Sequence, residues 1–82
     1  MYKVTRIEDG KEFRTEDYKF VVFNEKGQGK EMIDNPQLGT SLILPPYNAS
    51  YSWMTSTITE VIDDYNFKTK NSNYEIERIK PL

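Results

Sequence analysis

Polar and apolar positions alternate with a period of two along most of the chain, and no window shows the period of a capped helix. Tyr2-Lys3-Val4-Thr5-Arg6-Ile7 opens as a first strand. Asp9-Gly10 predicts a two-residue type I′ turn, which needs positive φ at both central positions. That turn would set Glu8 opposite Lys11 and Arg6 opposite Phe13 on the returning strand. Thr15 to Phe20 has room for one short helical turn. Lys19-Phe20-Val21-Val22-Phe23 is rich in β-branched and aromatic residues and predicts a second strand. The loop Asn24–Gly29 leads into a return over Lys30–Ile33. Ser41-Leu42-Ile43-Leu44 is a short apolar strand ended by Pro45-Pro46. From Trp53 the alternation is cleanest, with Ser56, Ile58, Glu60 and Ile62 on one face and Thr57, Thr59 and Val61 on the other. Asp63-Asp64 and Asn71-Ser72 then turn the chain into two last strands, over Tyr65–Thr69 and Tyr74–Ile79.

These elements predict one all-β domain over residues 1–82. The expected architecture is a small SH3-like barrel or a compact β-sandwich of about six to seven short antiparallel strands. Val4, Phe20, Val22, Ile43, Ile58, Phe67 and Ile76 are the expected core. Eighty-two residues suit a single domain with a small core. At 37% hydrophobic and 29% charged the chain is polar, but its six Tyr, four Phe and one Trp argue against disorder.

Composition also removes chemistry. Without Cys or His the chain has no disulfide, no thiolate or imidazole metal site, no Ser–His or Cys–His nucleophile and no imidazole acid–base pair. Gly27-Gln28-Gly29-Lys30 fails as a phosphate loop: Asn24 stands where the first glycine belongs, and Glu31 where a magnesium-binding hydroxyl belongs. Asp63 and Asp64 are adjacent, so on a strand they face opposite ways and read as a turn. Glu60 could be a functional carboxylate but reads as a solvent-facing strand position. Glu75 with Glu77, and Lys68 with Lys70, read as cross-strand charge pairing. No catalytic residue, metal ligand or cofactor is expected, and the protein is read as not an enzyme.

Charge is unevenly spread around a net charge of -2. Residues 1–30 carry +1, residues 31–67 carry -5 with no Lys or Arg, and residues 68–82 carry +2. Asn35 through Thr59 contains no charged residue at all. Two readings fit that gap: a loop plus a buried strand, or a surface cleared of charge for a partner. Tyr47, Tyr51 and Trp53 fall inside it, next to two prolines that stiffen the approach. The candidate binding residues are therefore Leu38, Tyr47, Asn48, Tyr51 and Trp53. Trp53 is equally readable as a core anchor. No apolar run reaches the ~20 residues of a membrane helix, and the first residues lack a signal-peptide core, so the expected location is the cytoplasm.

Met54-Thr55-Ser56-Thr57-Ile58-Thr59-Glu60-Val61, followed by Phe67-Lys68-Thr69-Lys70-Asn71-Ser72-Asn73-Tyr74-Glu75-Ile76, resembles small accessory proteins of bacteriophages and prophages. In these a Thr-Ser/Thr-x-Ile segment precedes x-Phe-x-Thr-x-Asn-Ser-x-Tyr. The resemblance covers about 25 of 82 residues and implies a bacterial host cytoplasm, with no established activity. It implies a factor that binds and inhibits or modulates a host protein complex, a defence system included. Two alternatives stay open. One is a small-ligand binder that sequesters a nucleotide signal by stacking on Tyr47, Tyr51 or Trp53, acting as an oligomer. The other is a single-stranded nucleic-acid-binding barrel using Lys68, Lys70, Arg78 and Lys80 with Tyr65 and Phe67.

Overall fold

A computed structural model describes residues 1–80 of the chain. Among these residues there are nine strands: β1 (Tyr2–Arg6), β2 (Glu12–Thr15), β3 (Lys19–Phe23), β4 (Gly29–Ile33), β5 (Ser41–Leu44), β6 (Trp53–Met54), β7 (Ile58–Asp63), β8 (Asn66–Thr69) and β9 (Asn73–Arg78). They form two antiparallel sheets, ordered β2-β1-β9-β8-β7 and β4-β3-β5-β6. No closed barrel forms among the described residues. The segment expected to turn helically, Thr15 to Phe20, is strand ends joined by a bend.

Alternation explains the five-stranded sheet. Val4 faces Phe13 on one side and Ile76 on the other, and Tyr74 pairs with Phe67, so these side chains share the inner face. The outer face is charged: Lys3 reaches Glu12 and Glu77 at 3.7 and 3.9 Å. In the four-stranded sheet Phe20 pairs with Leu42 and both point inward. The core drawn from the two sheets is Val4, Phe20, Leu42, Leu44, Ile58, Phe67, Tyr74 and Ile76.

Two expected core residues are placed differently. Val22 shares the inward face of Phe20 but is only half-buried, because it lies toward the β3–β4 hairpin end, paired with the exposed Glu31. Ile43 is buried as expected, but it pairs with Lys19 and Met54 and so lies on the other face of β5, with Val21, outside that central cluster. Period two alone does not say which face of a doubly covered strand is the core.

The first hairpin is also a correction. Arg6 donates its N–H to the Lys11 carbonyl, and Gly10 donates to the Arg6 carbonyl, so Ile7–Gly10 is a four-residue loop and Arg6 sits opposite Lys11. Within this loop only Gly10 has positive φ, at 71°. Asp9 keeps an ordinary conformation while its carboxylate takes the Arg6 guanidinium at 2.8 Å and the Lys11 N–H at 3.0 Å.

The strand expected from Trp53 onward is divided. Thr55 leaves the four-stranded sheet, its N–H on the Leu42 carbonyl and its hydroxyl accepting the Leu42 N–H. Ile58 then donates to the Thr40 carbonyl at 2.7 Å and accepts from Gly39 at 2.9 Å, stitching the two sheets at one corner. Beyond Ile58 the expected alternation is lost. Thr59 and Ile62 are extra residues in β7, inserted between the pairs Ile58–Thr69 and Glu60–Lys68, and Val61–Phe67 and Asp63–Asn66.

All four sheet edges are poor templates for strand addition. β7 carries those two bulges and its acids, β4 has a bulge at Lys30, β6 is two residues long, and β2 presents Glu12 and Arg14. Bulges, charge and shortness are the usual ways of blunting an edge.

Candidate functional site

The chain leaves β5 at Leu44, passes the cis Pro45-Pro46 bond, and reaches β6 at Trp53. This loop carries no charge. The loop is held at both ends. Near its start, the Tyr47 hydroxyl donates to the Asp17 carboxylate at 2.8 Å. Burial and that bond push the Tyr47 hydroxyl well above the ordinary phenol range. At its end, Trp53 stacks on Phe13 with ring centres 4.0 Å apart and meets Tyr74 edge-on. Between them Asn48 builds a turn: its side-chain oxygen takes the Ser50 N–H at 2.8 Å and its carbonyl takes the Tyr51 N–H.

The structure therefore places Tyr47, Asn48 and Tyr51 on one loop and Trp53 at the start of the strand that follows it, and gives them different roles. Tyr47 is a pin, Asn48 shapes the turn, and Trp53 is packed against the core. Tyr51 is the exposed ring, at 41%. Leu38 is 69% exposed but precedes β5, at the strand end opposite Tyr47, so it is not part of the cluster.

A second concave site lies at the end of the five-stranded sheet. Tyr2 pairs with Arg78 on the inner face, Ile76 donates its N–H to the Tyr65 carbonyl, and Tyr18 packs edge-on against Tyr2 at 5.0 Å. Tyr2, Tyr18, Tyr65, Ile76 and Arg78 line a cleft of about 350 Å³. Tyr2 and Tyr18 were not among the sequence candidates. The signal was the inner-face alternation Tyr2–Val4 against Ile76–Arg78, legible once β1 and β9 are known to pair. A larger hollow, about 510 Å³ against the β3–β4 loop, offers one ring, Phe23, among Asn24, Glu25, Lys26, Gln28 and Lys30.

The charged positions resolve as solvent-facing or as turns. Glu60 is exposed and faces Lys68. Asp63 accepts the Tyr65 N–H at 2.8 Å and the Asn66 amide, which lowers its carboxyl below the usual range. Phe67 is fully buried, so it cannot stack on a base as the nucleic-acid reading requires. Among the described residues no group of three acids could hold a metal, and no helix is long and apolar enough to cross a membrane. Comparison with known proteins finds no matching family model, curated protein or solved structure.

Proposed function

We propose that the protein is a non-catalytic binding factor, a compact β-sandwich that recognises another protein through the Pro45–Ser52 loop. One observation carries this reading: the loop is exposed, free of charge and held at both ends by Tyr47–Asp17 and Trp53–Phe13. A surface without charge is buried with little desolvation cost, and a loop already fixed loses little entropy on binding. Tyr51 is the anchor, an amphipathic ring on a supported turn. The C-terminal cadence shared with phage accessory proteins sets the partner class we propose: a host protein complex in a bacterial cytoplasm, a defence system included.

The test is affinity capture from bacterial lysate with the parent and Tyr51→Ala in parallel, circular dichroism confirming an unchanged fold. The reading expects a defined host complex held by the parent and weakened about tenfold or more by the variant, as hot-spot truncations do. Equal capture by both, or none by either, contradicts it.

A further inference from the structure

The cleft at the end of the five-stranded sheet shares no lining residue with the partner loop, and its lining is chemically specific. Three tyrosine rings and Ile76 make an apolar enclosure, and one guanidinium, Arg78, stands at its side. Tyr2 and Tyr18 meet at 90°, which makes a corner with one ring face and one ring edge. Tyr65, 55% exposed on the β7–β8 turn, supplies a ring with room beside it. The turn that carries it is fixed by Asp63, so its backbone is set before anything binds. Arg78 is exposed and has no carboxylate within ion-pair distance among the described residues. Its nearest inner-face neighbour across the ladder is Tyr2.

We propose that this cleft is a ligand site for a flat aromatic ring carrying one anionic group, the ring against the tyrosines and the anion on Arg78. Its volume, about 350 Å³, falls within the usual small-molecule range of roughly 300–1,000 Å³. A guanidinium holds a carboxylate or phosphate in a two-pronged bond, and tyrosine faces are sequence-tolerant stacking surfaces for planar rings. The number of anionic charges is limited by the surroundings. Asp17 and Asp64 are the chain neighbours of the lining residues Tyr18 and Tyr65, while Arg78 is the one cation of the lining. A single phosphate satisfies Arg78, and further phosphates find no second cation in the lining. The larger hollow by Lys26 and Lys30 has two cations but a single ring, so it suits no stacked ligand.

Adenosine monophosphate is the probe, titrated against the labelled protein by nuclear magnetic resonance with adenosine, inorganic phosphate and adenosine triphosphate alongside. The expected result is saturable shifts at Tyr2, Tyr18, Tyr65, Ile76 and Arg78. Adenosine should bind about tenfold more weakly and the triphosphate no more tightly. Arg78→Gln and Tyr65→Ala should each weaken the monophosphate about tenfold, and Tyr65→Phe should restore it. Both positions are exposed, so the thermal midpoint should stay with the parent. Absence of shifts at about 10 mM probe overturns the proposal. So do shifts confined to the β3–β4 loop, equal shifts from inorganic phosphate alone, or unchanged affinity in Arg78→Gln.

Discussion

Single side chains decide how the hairpins close. The Asp9 carboxylate, bonded to the Arg6 guanidinium and the Lys11 N–H, is held down at about 2. Its folded value lies below the ordinary carboxylate value, so its contribution to stability is present above about pH 4 and is lost as pH falls through 2. Asp9→Asn should therefore melt below the parent at neutral pH, and the two melting curves should converge toward pH 2. Burial separates other residues that the sequence makes look alike. Leu42 has no exposed surface and Leu38 is 69% exposed. Leu42→Ala should cost about 2–5 kcal/mol in chemical denaturation, and Leu38→Ala should stay within about 0.5 kcal/mol. Leu38 read as a site residue only because it shares the charge-free stretch. That stretch has two causes: a strand buried along its whole length, Ser41–Leu44, and an exposed loop after it. Charge counting does not distinguish them.

At the scale of elements, the Phe67–Tyr74 segment has a plain physical reading as the β8–β9 hairpin. Phe67 and Tyr74 are core rings stacked on each other. Thr69 is buried and gathers the turn, its hydroxyl taking the Ser72 and Ser56 donors and donating to the Ser72 carbonyl. Strands with one buried face were legible from alternation, as β1, β8 and β9 are. β6 and β7 were not told apart, because the break at Thr55–Thr57 is made by distant backbone: Leu42, Thr40 and the Lys70 N–H on the Thr57 carbonyl. Gly39 sits at that corner with φ at +81° while its N–H bonds Ile58. Gly39→Ala should cost about 1–2 kcal/mol with no change in the strand content seen by circular dichroism, since only the backbone conformation is penalised.

Across the whole molecule, seven rings run in series through the core: Phe13, Trp53, Tyr74, Phe67, Phe20, Tyr18 and Tyr2, with successive centres 4.0 to 5.8 Å apart. The series starts where β2 meets β6, at the edges of the two sheets, and ends in the tyrosine cleft. It explains how so polar a chain closes a core, and why Trp53 is anchor rather than contact. The all-β class was legible because period two and turn residues are local signals. The cleft was not, because it depends on β1 lying beside β9 across almost the full chain. The two sites meet at Asp17 and Tyr18, neighbours that hold the loop and line the cleft respectively. The proposed recognition requires the Pro45–Ser52 loop to be fixed in the free protein by Tyr47–Asp17 and Trp53–Phe13. Backbone nitrogen relaxation tests that requirement most directly, in the parent and in Tyr47→Phe, which removes only the hydroxyl on Asp17. Order parameters near 0.85, the rigid-backbone value, are expected over residues 47–52 of the parent. In Tyr47→Phe those of 47–50 should fall while Trp53 is unchanged. Parent values below about 0.6 across the loop, or no change in the variant, would contradict it.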